Sequence, residues 1–206
     1  MTDTPSLDLA AIAFDLGNVL VQVDHWRFCR RLALKAQRKP EEIFRQVFET
    51  ELEPGYDTGR LTSQEFYRQI TGHFGLALPY PEFCEMWREI FDPMDGMEEM
   101  LARLAPRCPL YLVSNTNPLH FHYIQERFPG VLRHIRSFIL SYRIGSRKPE
   151  PGFYQALIRT TGQPPQYCLF IDDKAPFVEA ARQHGLMAWQ FTTPEDLQRS
   201  LEEYGI

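Results

Sequence analysis

Four positions in the sequence carry side chains of complementary chemistry: Asp15, Ser114, Lys148 and the adjacent pair Asp172 and Asp173. Neighbouring carboxylates repel each other, and their oxygens are suitable ligands for a cation. A hydroxyl and an ammonium group can hold an anion. Each position alone is also explained as a helix cap, a turn former or a solvated loop residue. Together they predict a site for a cation and an anionic substrate.

The elements that would position these side chains are short apolar runs, typical of buried strands. The runs are Ala11–Phe14, Leu110–Val113, Ser137–Leu140 and Cys168–Ile171, with a weaker fifth at Met187–Gln190. Such near-continuous apolar strands predict a parallel sheet covered on both faces. The polar positions follow these runs, so the carboxyl ends of the strands would bring them into one crevice.

Helical patterns separate the strands from residue 110 onward. They cover Leu119–Phe128, Phe153–Thr161, Phe177–His184 and Glu195–Tyr204. The alternation of strand and helix predicts an α/β fold with a Rossmann-like three-layer core around the parallel sheet. His120 and His122, on the first of these helices, are expected to be solvated.

The stretch from residue 24 to residue 93 has a different pattern. It contains four helical segments and no convincing strand: Trp26–Ala36, Glu41–Glu51, Ser63–Phe74 and Pro81–Phe91. We therefore predict a core domain made of residues 1–23 and 94–206, interrupted by a helical cap domain at residues 24–93. Most cap aromatics have helical spacing, which predicts that they form the core of the cap. A two-glycine turn at Gly55–Arg60 either reaches the site or is an ordinary loop between helices.

Composition narrows the function classes. The chain has 206 residues, 44% of them hydrophobic, and a net charge of −5. This acidic balance argues against a protein that binds nucleic acid through its phosphates. No apolar run approaches the length of a membrane helix, and Met1–Asp8 lacks the pattern of a secretory signal. The four cysteines form no C-x-x-C pair, so a zinc site is not expected. We expect a cytoplasmic protein with a small-molecule substrate and leave the oligomeric state open.

The polar combination resembles the haloacid dehalogenase-like hydrolase superfamily. Four segments carry the resemblance: Phe14–Leu20, Val113–Asn117, Arg147–Glu150 and Phe170–Asp173. The insertion lies where that family carries its helical cap. Within the superfamily, the sequence looks most like bacterial phosphatases that act on α-glucose 1-phosphate and related sugar phosphates.

The resemblance implies a Mg²⁺-dependent phosphatase that hydrolyses a small phosphomonoester, such as a sugar phosphate. Asp15 would be the nucleophile and would form an aspartyl-phosphate. Ser114 and the backbone amide of Asn115 would hold the phosphoryl oxygens. Lys148 would bind the substrate and balance the charge of Asp15 and of the phosphoryl group.

The resemblance also implies the metal ligands. Mg²⁺ would lie between Asp15, Asp172 and the backbone carbonyl of Gly17. Asp173 would either bind the ion directly or support the residues that do.

Gly17 is a departure from the family pattern, because most phosphatases of this superfamily carry a second Asp two residues after the nucleophile. That Asp protonates the leaving alkoxide, a contribution of about 10²–10⁴-fold. Another residue could supply the proton instead, and Asp24, His25 and Asp57 are candidates. Alternatively, the leaving group could be an anomeric hydroxyl, which needs less help.

Two further functions remain open because of Gly17. A 2-haloacid dehalogenase needs no acid for its halide leaving group, but Asp172 and Asp173 would repel a carboxylate substrate in the absence of a cation. The third possibility is a binding protein of the same fold that has lost catalysis.

Overall fold

The computed structural model describes residues 9–206, so the segment Met1–Asp8 lies outside the described residues. The strands are β1 Ala11–Phe14, β2 Val21–Val23, β3 Phe91–Pro93, β4 Leu110–Ser114, β5 Ile135–Leu140, β6 Cys168–Asp172 and β7 Met187–Gln190. The helices are α1 His25–Ala36, α2 Pro40–Phe48, α3 Leu52–Asp57, α4 Ser63–His73, α5 Tyr80–Arg88, α6 Met97–Leu104, α7 Pro118–Arg127, α8 Pro129–Leu132, α9 Ser141–Ile144, α10 Pro151–Thr161, α11 Ala175–Gln183 and α12 Pro194–Glu203. A single 3₁₀ turn, Pro165–Tyr167, precedes β6.

The main sheet has five strands in the order β5-β4-β1-β6-β7. Every pairing in it is parallel, and the central strand β1 places Phe14 beside Leu112 of β4 and Ile171 of β6. All five strands expected from the apolar runs are present. The predicted α/β fold with a parallel sheet is therefore confirmed.

The two faces of the sheet are buried in separate hydrophobic clusters, as a three-layer core requires. Successive side chains of a strand point to opposite faces. In β1, Ile12 and Phe14 belong to one cluster, whereas Ala11 and Ala13 belong to the other. Burial on both faces explains why the central strands are apolar at every position and show no alternation.

The segment from 24 to 93 departs from the prediction in two places. Phe91–Pro93 is a strand, β3, and it pairs antiparallel with β2, so the expectation of no strand in this segment is wrong. Each of these strands is only three residues long, which is too short to show a period. The first half of the expected turn at Gly55–Arg60 is helical, because α3 extends to Asp57.

Aromatic packing fills the interior of this helical segment. Trp87 is fully buried, with its ring edge-on to Phe28 at 4.8 Å and tilted against Phe66 at 4.7 Å. The predicted aromatic core is confirmed for most of its members, whereas Trp26 stays 38% exposed and stacks on Phe44. Among residues 9–206, no helix is both long and apolar enough to cross a bilayer.

Gly59, just after α3, lies against the backbone of α9. Its φ is +72°, and a Cβ atom built there would be 2.6 Å from the carbonyl oxygen of Tyr142. Both the left-handed backbone and the close approach require glycine. This contact joins the helical segment to the region that follows β5.

We expect Gly59→Ala to lower the free energy of unfolding more than Gly75→Ala does. Gly75 has a similar φ of +61° and open space around its Cβ position, so alanine there carries only the left-handed backbone cost of about 1–2 kcal/mol. The clash at Gly59 adds about 1–3 kcal/mol. Urea unfolding of both variants measures the difference, and equal losses would show that the Tyr142 backbone yields without cost.

Candidate active site

The carboxyl ends of the three central strands meet as expected. Ser114 is the last residue of β4, Asp172 is the last residue of β6, and Asp15 directly follows β1. Asp15, Ser114 and Lys148 line one cavity, together with Gly17 and Asp173. The structure thus brings the polar positions singled out in the sequence into one place.

Lys148 is the centre of this arrangement. Its side chain is 1% exposed, and its Nζ lies 2.7 Å from Asp15 Oδ1 and 2.5 Å from Asp172 Oδ2. It is also 3.4 Å from the carbonyl oxygen of Val113. A buried ammonium group needs such partners, because burying an unpaired charge is very costly.

Asn115 fixes the backbone of Lys148 from the neighbouring strand end. Its Oδ1 accepts the Lys148 backbone N–H at 2.8 Å, and its Nδ2 donates to the Lys148 carbonyl at 2.9 Å. The side chain is therefore occupied in positioning Lys148. The Ser114 hydroxyl makes one long contact of 3.4 Å, to the Asn115 carbonyl, and it can turn toward an oxygen in the cavity.

Three carboxylates form a cluster that could hold a metal ion. Asp15, Asp172 and Asp173 each offer an oxygen within 4.8 Å of the others. The Asp172 oxygens are already engaged, Oδ2 by Lys148 and Oδ1 by the backbone N–H of Lys174 at 2.9 Å. Asp173 Oδ1 is buried and has no hydrogen-bond partner among residues 9–206. An all-oxygen donor set with one unsatisfied buried oxygen fits a hard cation such as Mg²⁺.

The electrostatics of the cluster point the same way. Burial raises the pKa of Asp15. The Lys148 charge lowers this pKa and the Asp172 charge raises it, so the net shift is upward. Burial, followed by repulsion from Asp172, also raises the pKa of Asp173. Burial alone would lower the pKa of Lys148, but Asp15 and Asp172 together raise it, so this ammonium stays charged. Lys148 pairs with two of the three carboxylates, and Lys174 lowers the pKa of Asp173 without reversing the effect of burial. A cation at the cluster would help to keep all three ionised.

Gly17 presents backbone only to the cavity. Its φ lies outside the left-handed region, and a Cβ atom there would be 3.0 Å from Val23 Cγ2. Of the three candidate proton donors, His25 and Asp57 line the cavity. Asp24 is not among the cavity residues, and its carboxylate pairs with Arg30 at 2.6 Å.

Several residues around the cavity were not singled out by the sequence analysis, above all Asn117 and Arg147. Asn117 is 1% exposed, accepts a hydrogen bond from the indole of Trp87 and donates one to Asp57. Arg147 reaches Glu53 of α3 at 3.6 Å. In the sequence, Asn117 ended the segment Val113–Asn117 without a role of its own, and its place before Pro118 marked a helix start.

His120 corrects an expectation. It is buried, 6% exposed, whereas a solvated residue was predicted; His122 is exposed as expected. The His120 ring stacks on Trp87 at 4.7 Å. Burial lowers the pKa of His120 to about 3, so the imidazole is neutral at pH 7. Burial likewise lowers the pKa of His25 to about 4.

Comparison with known proteins gives the chain a family. Residues 9–185 match the model of the haloacid dehalogenase-like hydrolases. The chain is 23% identical over 196 residues to D-ribitol-5-phosphate phosphatase from Bacteroides thetaiotaomicron. This match covers 92% of this chain and 95% of that protein.

Two solved structures show the fold. A HAD family enzyme from Bacteroides thetaiotaomicron, in complex with magnesium and inorganic phosphate, has a TM-score of 0.81 at 24% identity over 90% of this chain and 95% of that one. L-2-haloacid dehalogenase from Xanthobacter autotrophicus has a TM-score of 0.66 and 20% identity, and the match covers 94% of this chain and 82% of that one. With a family match over most of its length and this fold around a carboxylate–lysine cluster, the chain belongs to the haloacid dehalogenase-like hydrolase family.

Proposed function

We propose that this protein is a Mg²⁺-dependent phosphatase that hydrolyses a small phosphomonoester through an aspartyl-phosphate. The observation that carries the proposal is the buried Lys148, bonded to Asp15 and Asp172 beside a carboxylate oxygen of Asp173 that has no partner among residues 9–206. The carboxylates of this arrangement would repel a dianionic phosphoryl group. A bound cation would offset their negative charge and allow such a group to bind.

The residues divide the work as follows. Asp15, Asp173 and the carbonyl of Gly17 would hold the ion. Asp172, which the resemblance implied as a ligand, would instead keep Lys148 in place, because both its oxygens are engaged. When bound, Mg²⁺ supplies positive charge to the phosphoryl oxygens. The Ser114 hydroxyl, the Asn115 backbone amide and the Lys148 ammonium, which line the same cavity, would bind phosphoryl oxygens.

The reaction has two steps. An Asp15 carboxylate oxygen attacks phosphorus, the ester P–O bond breaks, and the alcohol leaves after it takes up a proton. Water then attacks phosphorus, the bond to Asp15 breaks, and inorganic phosphate is released. Lys148 stabilises the phosphoryl charge throughout, because it stays protonated in its buried position.

We further propose that residues 24–93 form a cap domain that selects the substrate. Helix α3 of this segment contributes Glu53 and Asp57 to the cavity wall. The cavity measures about 90 Å³. This size favours a small sugar or polyol phosphate, and the relative that acts on D-ribitol 5-phosphate supports that substrate class.

The dehalogenase alternative finds less support. The likeness to L-2-haloacid dehalogenase lies in the fold. A haloacid carboxylate would enter a cavity where Asp15 and Asp173 already present negative charge.

The first test addresses the metal. We expect phosphate release from a panel of small phosphomonoesters only with Mg²⁺ present, and its loss with excess chelator. Asp173→Asn should raise the Mg²⁺ concentration for half-maximal rate at least about tenfold, since even indirect metal partners contribute 10–100-fold. The exposed Asp95 provides the control variant Asp95→Asn, which should behave as wild type. Full activity in chelator, or halide release from 2-chloropropionate, would contradict the proposal.

The second test addresses the nucleophile. Asp15→Asn keeps the shape of the side chain but removes the attacking carboxylate, so turnover should fall by about 10⁴-fold or more. The fold should be kept, because Asp172 still balances the Lys148 charge and the new amide oxygen can still accept a hydrogen bond from the Lys148 ammonium. Phosphate release and thermal unfolding are measured on the same sample. A folded Asp15→Asn variant with wild-type turnover would assign Asp15 a structural role only.

A further inference from the structure

We propose that Asp57 is the group that gives its proton to the leaving oxygen and later takes one from the attacking water, in place of a carboxyl group at position 17. This inference rests on the proposed phosphatase function. Asp57 ends helix α3, is 3% exposed, and lines the same cavity as Asp15 and Ser114.

The orientation of the Asp57 carboxyl group is set by Asn117. The Asn117 Oδ1 accepts the backbone N–H of His120 at 3.1 Å and the indole N–H of Trp87 at 3.3 Å. Both are groups that can only donate, so they fix which end of the amide is oxygen. The Asn117 Nδ2 then faces Asp57 Oδ1 at 3.0 Å and donates to it.

His120 completes this network. Its Nε2 lies 2.9 Å from the carbonyl oxygen of Trp87, which can only accept, so this nitrogen carries the hydrogen. Its Nδ1 therefore accepts the second Nδ2 hydrogen of Asn117, at 3.1 Å. All four hydrogen-bonding positions of the Asn117 side chain are used. Asp57 Oδ1 is thus held as an acceptor, which favours Oδ2 as the oxygen that carries a proton.

The surroundings keep that proton on Asp57 at neutral pH. Burial, reinforced by the Glu53 carboxylate on the same helix, raises the pKa of Asp57 to about 8. The Asn117 hydrogen bond and the charges of Arg147, before Lys148, and Lys174, after β6, act in the opposite direction but do not reverse it. Burial also raises the pKa of Asp15, to about 7, but Asp15 is hydrogen-bonded to the Lys148 ammonium, and a bound cation would lower its pKa further. Asp57 is instead hydrogen-bonded to a neutral amide, so the two carboxyl groups are suited to nucleophile and acid roles.

Residues of this chain can then donate and accept every proton that the two steps require. As Asp15 attacks phosphorus and the ester P–O bond breaks, the Asp57 proton moves to the leaving oxygen and gives the free alcohol. The resulting Asp57 carboxylate accepts a proton from the water that attacks the aspartyl-phosphate. Breaking the Asp15–phosphorus bond releases inorganic phosphate and restores both residues. The substrate class follows: alkyl phosphates, whose alkoxide leaving groups need a proton.

His25 is the competing candidate. It lines the cavity, and its Nδ1 is buried without a hydrogen-bond partner among residues 9–206. However, burial lowers the pKa of His25 to about 4. At pH 7 it carries no acidic proton to give, so His25→Gln serves as the matched comparison for Asp57→Asn.

The experiment compares two small substrates under the same Mg²⁺ concentration: glycerol 1-phosphate, with an alkoxide leaving group, and acetyl phosphate, whose acetate needs no proton. The ratio kcat/KM reports only the steps up to formation of the aspartyl-phosphate. For Asp57→Asn we expect kcat/KM to fall by about 10²–10⁴-fold on glycerol 1-phosphate and by less than about threefold on acetyl phosphate. With acetyl phosphate, a burst of acetate should precede slow turnover.

Two further readouts separate chemistry from folding. In wild type, kcat/KM for glycerol 1-phosphate should fall above a pH of about 8, as Asp57 loses its proton, and acetyl phosphate should show no such fall. Adding Gly17→Asp to Asp57→Asn should restore part of the glycerol 1-phosphate rate, since a Cβ atom at position 17 meets a single neighbouring atom, Val23 Cγ2, at 3.0 Å.

Equal losses on both substrates would overturn the inference in favour of a structural role for Asp57. A loss confined to glycerol 1-phosphate in His25→Gln, with Asp57→Asn unaffected, would transfer the role to His25. A wild-type protein that hydrolyses neither substrate with Mg²⁺, nor any other ester of the panel, would instead refute the phosphatase function itself.

Discussion

One buried positive charge constrains the rest of the site. The Lys148 ammonium has almost no contact with water, so its charge must be balanced by groups at fixed positions around it. Asp15 and Asp172 provide this balance from the ends of β1 and β6, which are adjacent in the sheet. From the other neighbour of β1, the strand β4, Asn115 holds the Lys148 backbone. The groups that surround Lys148 therefore come from three strands that are neighbours in the sheet.

The sequence predicted this half of the site because its physical signals are local. A central strand is apolar at every position, so the polar residue that ends it is conspicuous, as at Asp15 and Ser114. The other half depends on distant contacts. Asn117 is hydrogen-bonded to Trp87 and Asp57, which are 30 and 60 residues away in the chain. No local sequence pattern predicts either contact. His120 looked solvated because its residue type is polar, and it is buried because its ring stacks on Trp87.

Gly17 contributes no side chain to the cavity. Val23 lies where a side chain at position 17 would begin, so that wall offers a backbone carbonyl and apolar surface. The ionised carboxylates gather on the sheet side, beside Lys148. Helix α3 contributes Asp57 to the same cavity, and its burial favours the neutral form.

The Asp57–Asn117 hydrogen bond joins two separate parts of the chain, since α3 lies between β2 and β3 and Asn117 begins α7 after β4. It exists only while these parts are in contact. If Asp57 is the proton source, an ester whose alcohol part displaced α3 would break this hydrogen bond and lose its proton donor. Such an ester would occupy the site without being cleaved, and it would act as an inhibitor.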